Sequence, residues 1–209
     1  MTFSKEFKEA LSELPSKEKD KLLFRLLKKD RVLANRLYFE LVSDLSVDDR
    51  REIVKARLAQ QIDSATENFY SPGYLNLDIR SMSGEINDHL LMTKDKFGEV
   101  HLNLFMLNEI LDRNREKILG FDPSRSHKLS TAIIARTYKI MGLAIKLHED
   151  YMVDMQDDLK KLGQLIGDNP YLMDNAIYNG LNVNWLIFGE IPEDIIEIQR
   201  ELRRDGYLR

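Results

Sequence analysis

The sequence predicts an all-helical protein: an up-and-down bundle of four long helices flanked by short helices at both ends, with an irregular helical stack as the alternative architecture. Two observations carry that expectation. Apolar residues return at steps of three, four and seven through most of the chain, which places them on one stripe of a helix. The breaks between these stretches are short and built from Pro, Gly, Ser and Asp. The longest stretch, Ser126 to Gly167, has no proline and sets Ile133, Ile140, Ala144, Leu147, Tyr151, Met155, Leu159, Leu162 and Ile166 on one stripe of one long helix. Short connections between long amphipathic helices favour antiparallel neighbours. No repeat of fixed period is present, so a regular solenoid is not expected.

Residues 1–45 predict a subdomain of three short helices. Ser4 caps the first, Pro15 and Ser16 break and restart the chain, and Asp30 separates the second helix from a third that runs to about Leu45. Residues 46–168 form the long-helix bundle. Ser46, Val47, Asp48 and Asp49 make a capping pattern in which the serine hydroxyl satisfies an orphan amide and the acids suit the positive helix end. The helix beginning there carries Val54, Leu58, Ile62, Ala65 and Phe69 and stops where Ser71, Pro72 and Gly73 interrupt it. A second carries Leu75, Ile79, Met82, Ile86 and Leu90 and stops near Phe97 and Gly98. A third carries Val100, Leu104, Leu107, Leu111 and Ile118 and ends at Gly120, before the 126–167 stretch. Gly142 and Gly163 are the points where that last helix would bend, each costing about 1 kcal/mol relative to alanine. Residues 169–209 return to short helices near Tyr171 to Asn179, Asn184 to Phe188 and Pro192 to Arg204, packed on the bundle.

Composition narrows the chemistry. The chain has 209 residues, 43% hydrophobic and 32% charged, an ordinary balance for a folded protein. It has no cysteine, which removes disulfides, thiolate metal sites and cysteine nucleophiles. The N-terminus carries Lys5, Glu6, Lys8 and Glu9 where a secretory signal needs apolar residues, and no window approaches a membrane span, so a cytoplasmic location is expected. The net charge of −4 is unevenly spread: residues 1–60 hold 14 Lys and Arg against 11 Asp and Glu, and residues 145–209 hold 7 against 13.

Without cysteine, histidines and carboxylates are the metal ligands to weigh. His89 and His148 follow apolar residues at helical spacing, and Glu85 stands four residues before His89. The Glu-x-x-His step of di-iron bundles is absent. Asp150, Asp154, Asp157 and Asp158 form an acid stripe spaced to hold a hard cation, provided that Glu109, Asp112 and Glu116 converge on it from another helix. That constellation is the basis for a metal-dependent enzyme, the third functional expectation. Serine hydrolysis lacks its G-x-S-x-G elbow, and no glycine-rich phosphate loop is present.

Leu162, Gly163, Ile166, Gly167, Met173 and Ala176 stand where a helix-turn-helix places its small, turn and packing residues. With Leu181 to Glu190, they resemble the helix-turn-helix and closing helix of phage-repressor-like domains, over about 30 of the 209 residues. The resemblance implies a nucleic-acid-binding regulator, with Asn175 or Asn179 reading an adenine edge. The segment departs from that pattern where phosphates would be neutralised: Tyr171 to Asn179 has no Lys or Arg and carries Asp174.

Arg25, Lys28, Lys29, Arg31 and Arg36 form a basic N-terminal group suited to nucleic acid or to an acidic partner, interrupted by Asp30. Trp185, the single tryptophan, is expected to anchor the C-terminal helices on the bundle. The leading expectation is a non-enzymatic interaction or adaptor module with a protein partner and no cofactor. A homodimer would bury any leftover apolar stripe. Nucleic acid and membrane are not expected partners.

Overall fold

The computed structural model describes residues 2–209, and among them are eleven helices and no strand. They fall into two units, residues 2–45 with Leu91–Thr93, and Ser46–Leu90 with Lys94–Arg209. Among the described residues no helix is long and apolar enough to cross a membrane.

The first unit contains α1 (Lys5–Glu13), α2 (Ser16–Leu27) and α3 (Arg31–Val42). The Ser4 hydroxyl accepts the Phe7 amide at 3.3 Å, so that cap stands where the sequence places it, and Asp30, read as a break between helices, also caps α3 by accepting the Leu33 amide at 3.0 Å. α3 stops at Val42, short of Leu45, because Ser43 is extended. None of the three helices has a buried residue.

The second unit holds α4 (Val47–Glu67), α5 (Pro72–Thr93), α6 (Lys96–Leu119), α7 (Pro123–Ala144), α8 (Glu149–Gly167), α9 (Pro170–Tyr178), α10 (Asn184–Ile187) and α11 (Ile195–Arg204). The Ser46 and Asp49 side chains cap each other's backbone amides at 3.0 Å in a complete capping box. α6 is the hub. It packs against α4, α7 and α8, and 13 of its 24 residues are buried, among them Leu102, Leu104, Met106, Leu107 and Ile110. α9 and α11 pack on α7, and α10 lies against α8.

The structure corrects three features of the sequence-based expectation. The 126–167 stretch is not one helix: α7 ends at Ala144 and α8 begins at Glu149. Neither glycine causes the break. The His148 ring accepts the Asp150 amide as an N-cap, with Glu149 and Asp150 in the first turn, so a new helix start is satisfied there. The second correction concerns Phe97 and Gly98, which lie in the first turn of α6. The preceding break falls at Lys94, whose φ of 60° is left-handed, and at Asp95, whose carboxylate caps the Gly98 amide. Thirdly, Pro192 stands in the turn before α11, which starts at Ile195. Gly163 sits where α8 and α10 approach closely: a Cβ there would lie 2.8 Å from Ile187 Cγ1 and 3.1 Å from the Val183 carbonyl oxygen.

Candidate functional site

The basic N-terminal residues lie in the same unit as several exposed apolar side chains. Arg25 lies in the last turn of α2, Lys28 and Lys29 follow it, and Arg31 opens α3; all four are exposed. Arg36 is half-buried, and its Nε donates to the Leu91 carbonyl at 3.1 Å within the same unit. The same helices carry Leu23, Phe24, Leu26, Val32, Tyr38 and Leu41, all exposed.

In the second unit the densest polar cluster surrounds Asp95. Its Oδ2 accepts Arg51 Nε at 2.7 Å and His89 Nε2 at 3.0 Å, and its Oδ1 accepts the Gly98 amide at 2.8 Å. One carboxylate thus joins the start of α4, the end of α5 and the first turn of α6. Burial pushes the Asp95 carboxyl up, but hydrogen bonds from His89, Arg51 and Gly98 outweigh it and hold the group at about 2. The Arg51 guanidinium also lies 4.8 Å from the centre of the Phe97 ring, which stacks on His101. Burial and then the Lys55 charge hold His101 below the ordinary imidazole value. An imidazole held by a carboxylate is the geometry of an oriented proton carrier. Here His89 is fully buried, so the pair fastens helices together rather than facing a cleft.

The seven metal-ligand candidates are dispersed. Glu85 accepts a hydrogen bond from Gln61 while His89 turns to Asp95, so this pair does not converge. His148 and Asp150 meet at 3.2 Å at the exposed start of α8. Asp154 and Asp157 are exposed, and Asp158 is 4.0 Å from His101. The facing acids on α6 meet a lysine instead of the acid stripe: Lys161 lies 3.0 Å from Asp112 and 3.8 Å from Glu109. Among the described residues, no group of three His, Asp or Glu side chains is placed to hold a metal ion.

The repressor-like segment forms α8, α9 and α10, but the two asparagines expected to face bases point inward. Asn175 is 8% and Asn179 1% exposed. Asn175 Oδ1 accepts the Thr131 hydroxyl at 2.8 Å, and its Nδ2 meets His127 Nδ1 at 3.3 Å. Asn179 accepts the Leu208 amide at 2.8 Å through Oδ1, and its carbonyl accepts the Tyr138 hydroxyl at 3.1 Å. The Asn175 side chain therefore ties α9 to α7, and the Asn179 side chain ties the end of α9 to the chain at Leu208. Trp185 is partly buried against the core in α10.

Sequence reasoning missed Asp95, Arg51 and Phe97 as a cluster; the available signal was Asp95-Lys96-Phe97-Gly98, a capping acid three residues before the amide it satisfies. No protein-family model matches the chain, and no curated protein or solved structure matches it.

Proposed function

We propose that the chain is a non-enzymatic interaction module whose N-terminal unit docks a protein partner carrying an acidic, amphipathic helix. One observation carries this reading: α1, α2 and α3 bury no residue, while Phe24, Tyr38 and Leu41 stay 62%, 65% and 78% exposed. Covering one such side chain contributes roughly 1.5–3 kcal/mol. Four or five together contribute about 6–15 kcal/mol, the same range as the cost of association of about 4–15 kcal/mol. Charge selects the partner. Residues 16–36 hold eight Lys and Arg against three Asp and Glu, so an acidic helix is attracted, whereas the same face of a second copy is repelled. The long helices of the second unit serve in this reading as an up-and-down bundle scaffold centred on α6.

Lysine-directed crosslinking in an extract of the source organism tests the proposal. Full-length protein should give crosslinks from Lys28 and Lys29 to an acidic segment of one partner, and F24D or L41D should abolish them without changing the helical circular dichroism. Crosslinks only between copies of this chain, crosslinks indifferent to both substitutions, or none at all would reject it.

A further inference from the structure

We propose that His101 is an acid-sensitive latch in the second unit: while its ring is neutral it holds α6 to α4 through Lys55, and on protonation it exchanges Lys55 for Asp158 of α8. Of the four histidines, His89 is fully buried, His127 and His148 are exposed, and His101 is part-buried on α6, the helix that packs against both α4 and α8. A ring so placed can answer a change of pH near neutrality with a change of helix contacts.

The contacts fix its protonation state. Lys55 Nζ lies 3.4 Å from His101 Nε2. An ammonium donates and cannot accept, so Nε2 presents its lone pair and the proton of the neutral ring sits on Nδ1. On that side Asp158 Oδ2 stands 4.0 Å away, too far for a hydrogen bond but near enough to attract a cationic ring. Neighbouring rings hold the pair in place. His101 stacks on Phe97 with ring centres 5.7 Å apart and planes 9° from parallel, and Phe97 in turn meets Tyr151 of α8 at 4.9 Å. The Lys55 ammonium lies 5.3 Å from the centre of the Phe105 ring.

A proton added at Nε2 sets two donors against each other at 3.4 Å, and the bond from Lys55 is lost. The same proton gives the ring a charge opposite to that of Asp158. The charged groups around the imidazole are Lys55, Arg51 and Glu52 from α4 and Asp158 from α8. Burial opposes protonation most, Lys55 and Arg51 add to that opposition, and the two carboxylates favour it, so that the ring titrates below its ordinary 6.5. The latch therefore contributes its stability in full above 6.5 and loses it as pH falls through the lower value of the folded chain.

Nuclear magnetic resonance of the full chain between pH 5 and 8, following the imidazole rings and the lysine ammonium groups, tests the latch. At pH 8 His101 should be the Nδ1–H tautomer, and its midpoint should lie below 6.5. Lys55 should shift in step with it, whereas Lys139, paired with Glu99 at 2.8 Å, should not. K55Q should raise the His101 midpoint and D158N should lower it, both with the circular dichroism of the parent, since Lys55 and Asp158 are only part-buried. Urea unfolding of K55Q, H101Q and the double variant reads the hold between helices: the two substitutions should be coupled at pH 8 and additive at pH 5. An Nε2–H ring at pH 8, a midpoint that K55Q leaves unchanged, or the same coupling at both pH values would overturn the proposal.

Discussion

Asp95 concentrates more of the fold's electrostatics than any other side chain described above. Its carboxyl is held at about 2 instead of 3.8, so it stabilises the fold fully above its unfolded pKa, and the contribution is lost as pH falls toward about 2. On that ground, D95N should flatten the acid limb of the stability–pH profile, measured by urea unfolding between pH 2 and 5. At pH 7 it should lose about 1.5–3 kcal/mol, because the part-buried Arg51 gives up one charged acceptor, although it keeps Asp48 at 3.0 Å, while the cap survives in weakened form. The caps at Ser4 and Ser46 were legible in the sequence because each precedes an apolar-periodic run, and at Asp30 the helix break was legible though not the cap. Asp95 was not, since Gly98 three residues later has the look of a helix breaker. The glycine has another purpose: a Cβ there would stand 2.1 Å from Asp95 Oδ2 and 2.9 Å from Arg51 Nε. The space that a side chain would fill is taken by the ion pair, a fact that spacing alone does not encode.

At the level of elements, the contact of α8 with α10 depends on Gly163. G163A would press a methyl into Ile187 and the Val183 carbonyl, at a cost of about 1–3 kcal/mol for overpacking. Because the chain has one tryptophan, and it lies in α10, its fluorescence reports the outcome: a red shift in G163A under native conditions, with far-ultraviolet circular dichroism little changed. Unchanged emission would mean that the helices part without disturbing Trp185. The apolar stripe was legible from Ile133 to Ile166 and its ends are buried, but the break at 145–148 was not. Ala144 and Met155 both reach the core across the interruption, whereas Tyr151 between them is 44% exposed. Periodicity therefore persists through a turn that a capping histidine introduces, and hydrophobic spacing cannot distinguish the two.

Across the whole molecule, stability is expected to be unequal. L107A, in the fully buried heart of α6, should lower the unfolding free energy by about 2–5 kcal/mol. L41A, at a site 78% exposed, should stay within about 0.5 kcal/mol of the parent. Chemical denaturation of the two variants side by side checks both. The all-helical class was legible because helical spacing needs only local sequence. The centrality of α6 was less so: a helix buried on several sides loses its stripe, and Leu102, Leu104, Met106 and Leu107 crowd the pattern with neighbours from three other helices. The inward asparagines of α9 were hidden for a related reason, since their partners Thr131, His127 and Leu208 lie 29 to 48 residues away. A final consequence follows from the coreless first unit. Local opening there costs little free energy, so proteases would cut within residues 2–45 long before the remainder unfolds. A partner of the kind proposed above would shield this unit, so that the proposal implies a lifetime in the cell set by the fraction of the protein occupied, with an abundance that follows the partner's even at constant synthesis.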